Sequence, residues 1–456
     1  MNLQPHIFRE YDIRGIVGED LHPEVVEAVG RAAASELRHR LGGNDPQVAV
    51  GHDNRPSSSV LVDALLEGLE GAGARTVDVG CVPTPTLYWA EAVLGTDAGI
   101  QITGSHNPSE WNGIKMSFQG RALYGDGVQA LRRRIQENDL VDGVGTRERQ
   151  DIRDRYIQYV AERLSLERPV RVAVDCGNGT ASLVAVDLLE RAGATVHPIY
   201  CESDGTFPNH HPDPTVDEYL QDLMSLVRET DSDLGIAFDG DGDRLGVVDG
   251  QGRVVRGDSL LLLFGQDLIQ REGPGQRLVF DVKCSQLLPD GLEAAGGEPV
   301  MWKTGHSLIK EKMRELEAPI GGELSGHFCF ADRYLGFDDA LYAGGRLLEI
   351  LSRQDRSLAE LVDEQPAYVS TPEIRIEATE ASKERIVEAA RQHFAEQYEV
   401  VDVDGARILF GDGWALLRSS NTQPVIVARF EARAPERRDA IRAEVEAWLK
   451  DQGVDV

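Results

Sequence analysis

Cysteine is scarce in this chain of 456 residues, and the five present stand singly at positions 81, 176, 201, 284 and 329. No Cys-x-x-Cys pair occurs, and an odd count does not suit a disulfide framework. Long apolar runs are also missing, since the longest, near Leu260 to Phe264, is far too short to span a membrane. The first residues have no basic or apolar targeting segment. These absences predict a reduced cytoplasmic protein that does not enter a membrane.

Positive charge is scarce as well, with 47 Lys and Arg against 77 Asp and Glu and a net charge of −30. This balance argues against a general binder of nucleic acid or anionic membranes, although a small basic cleft can still hold an anionic substrate. We hypothesise a host with a salty cytoplasm, because a Debye length of about 3 Å at 1 M salt weakens self-repulsion. A melting temperature that does not rise from low to molar KCl would contradict this hypothesis.

What is present is an alternation of short apolar strands and helical patterns, typical of α/β proteins. A coarse repeat occurs three times, each a strand with a polar turn, a helix, a second strand, and a third strand entering an unusual loop. These patterns predict three similar α/β domains, each with one loop at a shared cleft. The fourth segment reads as strand, helix, strand, strand, helix. Turn-rich stretches predict domains at 1–145, 146–251, 252–366 and 367–456.

The loop Asp239-Gly-Asp-Gly-Asp-Arg follows the strand of the second repeat. Three carboxylates so close repel one another and persist most easily around a divalent cation. An EF-hand register fails, because its Gly and Glu positions hold Arg244 and Gly250. A solvated acidic turn is the structural alternative. The pattern favours a magnesium site for phosphate chemistry, with Arg244 as a partner for an anion.

Ser105 lies in Thr103-Gly-Ser-His-Asn-Pro, where the glycine turn and the restriction of Asn107 by proline fix the pose of the hydroxyl. A serine beside a histidine suggests a nucleophile with a base. Adjacent side chains rarely meet, however, so the spacing does not imply a Ser-His triad, and a hydroxyl-capped turn is the alternative. Phosphoserine suits this position, since it would bring about −1.5 to −2 charges to a metal held by three Asp.

Two further loops carry polar groups. Glu323-Leu-Ser-Gly-His spaces Glu, Ser and His as on a strand, which suits a polyol such as a sugar, and a polar strand end is the alternative. Arg418-Ser-Ser-Asn-Thr can grip a phosphate through its guanidinium and hydroxyls, and an ordinary hairpin turn is the alternative. Additional basic candidates are Arg14, Lys115, Lys283, Lys303 and His306.

Together these motifs resemble the α-D-phosphohexomutase family, most closely its phosphomannomutase/phosphoglucomutase branch, over essentially the whole chain. The motifs are Phe8-Arg-Glu-Tyr-Asp-Ile-Arg-Gly, Thr103-Gly-Ser-His-Asn-Pro, Asn112-Gly-Ile-Lys-Met, Asp239 to Arg244, Lys303-Thr-Gly-His-Ser, Gly322-Glu-Leu-Ser-Gly-His and Arg418-Ser-Ser-Asn-Thr-Gln-Pro. The resemblance implies three α/β domains with mixed sheets and a smaller α+β C-terminal domain, heart-shaped around a central cleft.

The resemblance also implies roles for the matched residues. Ser105 would carry the phosphoryl group and would complete a Mg²⁺ site with Asp239, Asp241 and Asp243. The other residues expected to act in the transfer are His106, Lys115, Arg14 and Arg244. Those expected to bind substrate are Lys283, Lys303, His306, Glu323, Ser325 and His327, with a phosphate clamp of Arg418, Ser420, Asn421 and Thr422.

The implied activity is that of an isomerase that moves phosphate between C1 and C6 of mannose and glucose phosphates. Phospho-Ser105 would give its phosphate to a hexose monophosphate, and the 1,6-bisphosphate would turn round and return the other phosphate. The resemblance implies Mg²⁺ and a hexose 1,6-bisphosphate as cofactors, and a monomer or weak homo-oligomer as the assembly.

Three alternatives to this function stay open. Phosphoglucosamine mutases usually show alanine in the serine motif and glycine in the clamp, where this sequence has Gly104 and Asn421. A phosphatase would release free phosphate, and a sugar-phosphate-binding protein without turnover would release no product. A haloacid-dehalogenase enzyme is disfavoured, because its Asp-x-Asp motif should follow an early strand.

Overall fold

The computed structural model describes residues 3–420 and 424–455. They form two compact units, each assembled from two stretches of chain. The first unit contains residues 1–256 and 325–360, and the second contains residues 257–324 and 361–456. In the described ranges, no helix has both the length and the apolar character needed to cross a membrane.

The first sheet has the order β1-β5-β4-β2-β3-β7, with β6 beside β5. Its strands are β1 (Ile13–Ile16), β2 (Gln47–His52), β3 (Arg75–Cys81), β4 (Ala98–Ile102), β5 (Trp111–Phe118), β6 (Arg121–Ala122) and β7 (Thr146–Arg149). A 3-10 turn (Pro5–Ile7) and four helices accompany it: α1 (Pro23–Arg40), α2 (Ser58–Gly71), α3 (Thr84–Leu94) and α4 (Asp126–Glu137). Gly68 lets α1 and α2 pack closely, since a Cβ there would lie 2.0 Å from the Glu27 carbonyl oxygen.

The second sheet has the order β12-β11-β10-β8-β9. Its strands are β8 (Arg171–Asp175), β9 (Thr195–Ile199), β10 (Leu234–Phe238), β11 (Leu245–Asp249) and β12 (Val254–Val255). The helices are α5 (Arg153–Ala161), α6 (Ala185–Arg191) and α7 (Gln221–Glu229), with 3-10 turns at Thr180–Leu183 and Asp217–Leu220. Strand β10 is buried along its whole length, so the acidic loop that follows it begins inside the protein.

The third repeat contains β13 (Arg277–Asp281), β14 (Glu298–Trp302) and β15 (Ile320–Gly322), with helices α8 (Gly257–Glu272), α9 (Leu287–Ala294) and α10 (His306–Leu316). The chain continues through β16 (Phe328–Phe330), α11 (Ala340–Ser352) and α12 (Leu358–Asp363). Asp339 caps α11 by accepting a hydrogen bond from the Tyr342 backbone N–H.

The triple repeat predicted from the sequence is confirmed by strand pairing. In each repeat the first strand is central, with the second strand parallel to it on one side and the third strand parallel to it on the other. In the first two repeats an antiparallel strand then pairs with the third, which gives the mixed sheets that were predicted. The loops carrying Ser105, Asp239 and Glu323 each follow the third strand, at its carboxyl end, where α/β sheets usually hold ligands.

The last segment contains more strands than its sequence pattern predicts. Its elements are β17 (Val369–Ser370), β18 (Ile374–Glu377), α13 (Glu380–Phe394), β19 (Glu399–Val401), β20 (Ala406–Leu409), β21 (Gly413–Ser419), β22 (Val425–Ala432) and α14 (Pro435–Asp451). The sheet order is β17-β22-β21-β20-β19, with β18 also on β22. Strands of three or four residues are too short to show an alternating pattern. At the predicted domain boundaries, β7 and β12 add residues 146–149 and 254–255 to the sheets before them.

Candidate active site

Asp239, Asp241 and Asp243 are fully buried on the loop between β10 and β11. One ligand oxygen from each lies within 4.8 Å of the others. The backbone N–H groups of Asp243 and Arg244 donate to Asp239 Oδ1 over 3.0 and 3.1 Å, so the loop folds around its first carboxylate. The positive φ of Gly242 permits this tight turn. A solvated acidic turn is therefore excluded.

This carboxylate cluster fits a divalent cation. Among the described residues, the buried oxygens Asp241 Oδ1 and Asp243 Oδ1 have no hydrogen-bond partner. Burial and the charges of Asp243 and Asp241 raise the pKa of Asp239 well above its usual value. Hard oxygen ligands that are buried, unpartnered and mutually repulsive are the donor set that such a cation takes. The three carboxylates could therefore hold a metal ion.

Lys115 on β5 supplies the positive charge that the structure itself places at this cluster. Its Nζ donates to Asp241 Oδ2 over 2.8 Å and to Asp243 Oδ2 over 2.5 Å. Burial alone would lower the pKa of Lys115, but Asp241 and Asp243 raise it well above its usual value. Burial would likewise raise the pKa of Asp241, but Lys115 and a hydrogen bond from Thr84 Oγ1 lower it. Both partners are therefore held in their charged forms.

Ser105 faces the first carboxylate of the acidic loop, with Oγ donating to Asp239 Oδ2 over 3.1 Å. Its backbone is left-handed, with φ of 50°, a conformation that costs a non-glycine residue about 1–2 kcal/mol. The expectation that neighbouring side chains do not meet is wrong here, because Ser105 Oγ lies 3.1 Å from His106 Nδ1. The left-handed turn brings the two side chains to the same side. Burial lowers the pKa of His106, and Arg244 and Arg14 lower it further.

Arg14, Arg244 and His327 also lie in the first unit and join the network around Ser105 and Asp239. Arg14 on β1 donates to Asn107 Oδ1 over 3.0 Å and pairs with Asp12. Arg244 Nε donates to His327 Nε2 over 3.0 Å. Because Nε2 accepts this hydrogen bond, a neutral His327 ring carries its proton on Nδ1, which lies 3.1 Å from Asp338 Oδ2. Ser325 is half-buried, two residues before His327.

The second unit holds the remaining predicted residues that the structure describes. Glu323 is buried, and its Oε1 accepts from the Gly305 backbone N–H over 2.6 Å, which ties the Glu323 loop to the turn before His306. Lys283 Nζ pairs with Glu373 over 3.2 Å. Burial alone would lower the pKa of Lys283, but the negative charges of Glu373 and Asp281 raise it. His306 begins α10, and Lys303 is exposed just before it.

Arg418 is the penultimate residue of strand β21 and is almost fully buried. Its Nε donates to Asp404 Oδ2 over 3.0 Å, and the same oxygen accepts from the Thr304 backbone N–H over 3.0 Å. The carbonyl of Ser420 accepts from Lys383 Nζ over 2.7 Å. The predicted clamp residues Asn421 and Thr422 lie outside the described residues.

Sequence reasoning did not find several residues that support these sites. Thr84 donates through Oγ1 to Asp241 Oδ2 over 2.6 Å and through its backbone N–H to the Asp241 carbonyl over 2.8 Å. Asp281, buried at the end of β13, accepts from the Leu324 N–H and from Thr304 Oγ1. The only available signal was position, because each follows or ends a strand of the repeat. Their partners are too distant in sequence for spacing to indicate contact.

With this geometry established, family models identify the chain. Models for the phosphoglucomutase/phosphomannomutase family match in order, with alpha/beta/alpha domains I, II and III at residues 5–142, 154–252 and 256–368 and the C-terminal domain at 373–447. The chain belongs to the phosphoglucomutase/phosphomannomutase family. The resemblance inferred from the motifs is therefore confirmed.

Individual family members match over nearly the whole chain. A phosphomannomutase/phosphoglucomutase of Pseudomonas aeruginosa is 47% identical over 450 residues, covering 98% of this chain and 96% of the relative. A phosphoglucomutase of Neisseria gonorrhoeae is 42% identical over 431 residues, covering 93% of each. The crystal structure of a family protein from Burkholderia thailandensis superposes with a TM-score of 0.92 at 43% identity, covering 99% of this chain and 98% of that one.

Proposed function

We propose that this protein catalyses the reversible transfer of phosphate between C1 and C6 of hexose phosphates, with mannose and glucose phosphates as substrates. The observation that carries the proposal is the placement of Ser105 Oγ against Asp239 Oδ2, inside a cluster of three buried carboxylates. A serine hydroxyl beside a divalent-cation site is suited to carry a phosphoryl group. Relatives at 47% and 42% identity that are named for this activity support the proposal.

In the proposed reaction, Ser105 carries the phosphate that starts the cycle. Phospho-Ser105 gives this phosphate to the free end of a hexose monophosphate, and the resulting 1,6-bisphosphate turns round. Its other phosphate then passes to Ser105 Oγ, and the hydroxyl proton of Ser105 moves to the sugar oxygen that the phosphate leaves, with His106 Nδ1, 3.1 Å from Oγ, placed to relay it. Arg14 and Arg244 hold positive charge near the serine, which stabilises negative charge on the moving phosphoryl group.

We assign the metal site to Asp239, Asp241 and Asp243, completed by an oxygen on Ser105, and we propose Mg²⁺ as its ion. When bound, Mg²⁺ supplies electrostatic stabilisation of the phosphoryl oxygens. Lys115 binds Asp241 Oδ2 and Asp243 Oδ2, while the buried Oδ1 oxygens of both residues accept no hydrogen bond from the described residues. The proposed activator is a hexose 1,6-bisphosphate, which rephosphorylates Ser105 if the intermediate escapes.

For substrate binding we propose the residues predicted from the sequence. Arg418 and Ser420, with Asn421 and Thr422, would hold the phosphate that does not react, which converts binding energy into orientation. Glu323 and Ser325 would bind sugar hydroxyls. Further contacts would come from Lys283, Lys303, His306 and His327. We also propose a cytoplasmic monomer or weak homo-oligomer, and the predicted domain boundaries stay a prediction.

The experiment that tests this function is isomerisation of glucose 1-phosphate, mannose 1-phosphate and glucosamine 1-phosphate, side by side. Each assay contains Mg²⁺ and a trace of glucose 1,6-bisphosphate, at low and at molar KCl. Comparable turnover of the first two sugars is expected. A strong preference for glucosamine 1-phosphate would move the protein to that branch. Release of free phosphate without isomer would indicate a phosphatase, and no turnover in either salt would contradict an enzymatic role.

A further inference from the structure

Arg55, which no sequence motif singled out, lies beneath the Ser105 loop with its side chain fully buried. It follows β2, about fifty residues before Ser105 in the chain. Its guanidinium donates to the carbonyl oxygens of Ser105 (2.8 Å), Asn107 (2.6 Å), Pro108 (2.5 Å) and Trp111 (3.2 Å). One side chain therefore binds four carbonyls of the same loop.

All five N–H groups of this guanidinium are used. Nη1 and Nη2 each donate to two loop carbonyls, and Nε donates to Asp53 Oδ2 over 3.1 Å. Asp53 reaches the loop as well, since the same carboxylate oxygen accepts from the Gly104 backbone N–H over 2.9 Å. A lysine ammonium has three donors on one atom and cannot serve four carbonyls and a carboxylate as the five donors of the planar guanidinium do.

A second segment, which contains Gly205 and Phe207, also packs on Arg55. The ring of Phe207 lies 5.0 Å from Arg55 Cζ, in the range of a cation–π contact. Gly205 packs directly on the backbone of Asn54 and Arg55. A Cβ at Gly205 would lie 2.1 Å from the Asn54 carbonyl oxygen and 2.6 Å from Arg55 Cα. The guanidinium is therefore in contact with this segment as well as with the Ser105 loop.

The Ser105 carbonyl is the point where Arg55 acts on the proposed reaction. Ser105 has a left-handed backbone, which persists only where the surroundings fix it. Its carbonyl oxygen lies between the Arg55 guanidinium and Gly240 of the acidic loop, where a Cβ would come within 2.4 Å of that oxygen. Fixing this peptide fixes the direction of the Ser105 side chain toward Asp239.

We propose that Arg55 is a positioning residue, which holds the Ser105 loop in the conformation that directs Oγ into the carboxylate cluster. The expected effect of Arg55 on turnover rests on the proposed function. Its expected effect on the loop conformation rests on the hydrogen bonds alone. Arg55 acts through Ser105 and has no direct contact with the reacting phosphate in this scheme.

The test compares Arg55→Lys with the wild type, and uses Arg133→Lys, at an exposed position of the same unit, as the control. Lysine keeps the charge that balances Asp53 but loses most of the carbonyl hydrogen bonds. Amide hydrogen exchange in residues 104–111 should become about tenfold faster or more. The rate of Ser105 phosphorylation by glucose 1,6-bisphosphate and kcat should fall about a hundredfold, with KM within about twofold.

Phe207→Leu provides a second variant, because it removes the aromatic cover and leaves every hydrogen bond of Arg55 in place. As in Arg55→Lys, loop amide exchange should become faster and kcat should fall, here by about threefold each. This variant decides the proposal if Arg55→Lys does not fold. Unchanged loop exchange, or faster exchange with wild-type kcat, would overturn the positioning role. If wild-type protein isomerises no hexose phosphate, the proposed function fails, while loop exchange still decides whether Arg55 fixes the loop.

Discussion

The Ser105 site and the Arg418 site handle buried charge in different ways. Around Ser105, the Lys115 ammonium pairs with two of three buried carboxyl groups, Asp241 and Asp243, so the carboxyl groups outnumber the ammonium. At Arg418, the described residues give the guanidinium one carboxylate partner, Asp404, which is itself partly exposed. The first arrangement suits a site that takes up a cation and a phosphoryl group. In the second arrangement the charges of Arg418 and Asp404 balance each other, which suits a site that orients a ligand.

Ser105→Ala is the strongest test of this difference. Turnover should fall at least about a thousandfold, because the variant lacks the oxygen that carries the phosphate. The melting temperature should stay close to that of the wild type, and Ser225→Ala, at an exposed position of helix α7, serves as the control. Steady-state isomerisation together with circular dichroism would check both points. Wild-type rates in Ser105→Ala would refute the phosphoserine assignment.

Lys115→Met would break the charge balance of the first site. Loss of the ammonium leaves Asp241 and Asp243 buried without a cation, which should cost about 3–5 kcal/mol of unfolding free energy. Mg²⁺ should recover more stability in this variant than in the wild type, because it supplies the missing charge. Chemical denaturation with and without Mg²⁺ measures both effects, with exposed Lys450→Met as control. A stability loss below 1 kcal/mol would contradict the arrangement.

Asp339 sharpens the comparison, because this buried carboxylate has neutral donors instead of a cation. Burial raises its pKa to about 6, and hydrogen bonds from Tyr334 and Tyr156 offset only part of that effect. The folded protein binds the Asp339 proton more tightly than the unfolded chain, and this difference stabilises the fold. The contribution is fully present below pH 3.8 and is lost as pH rises through about 6. From pH 3.5 to 7, wild type should therefore lose about 3 kcal/mol relative to Asp339→Asn. Urea denaturation of both proteins across this range measures the difference, and a constant difference would contradict the raised pKa.

Arg418→Ala should have the smallest effect of the four. Loss of a charged hydrogen-bonding group should lower kcat/KM about tenfold to a hundredfold, mostly through KM, because orientation suffers more than the chemistry at Ser105. Steady-state kinetics on both sugars would measure it, with Arg437→Ala, a partly exposed ion-paired arginine of the same unit, as control. Unchanged KM and kcat would remove Arg418 from the clamp.

The strand repeat and the acidic loop could be predicted from the sequence, because both depend on local patterns. Alternate Asp residues after a buried strand indicated a cation site, and three parallel strand pairs followed the predicted order. Arg55, Thr84 and Asp404 could not be found in this way. Arg55 contacts Ser105 across 50 positions and Thr84 contacts Asp241 across 157, so only the fold brings them together.

The contact of Ser105 with His106 was missed for a different reason. Ordinary extended or helical backbone separates adjacent side chains, and only the left-handed φ at Ser105 brings them together. That φ is in turn held by Arg55 and Gly240, which no local pattern specifies. The same limit applies to β19 and β20, whose lengths are too small for a period to show.

The first unit is interrupted in sequence, since residues 325–360 complete a structure that begins at the amino terminus. During synthesis, the ribosome therefore produces the Ser105 and Asp239 loops long before it produces His327 and Asp339. While residues 257–324 are synthesised, residues 1–256 lack the segment that completes their unit, and such incompletely folded chains are prone to aggregation. Folding of this enzyme should accordingly finish late, and a chain released before residue 327 would contain the phosphate-carrying serine without the histidine that contacts Arg244.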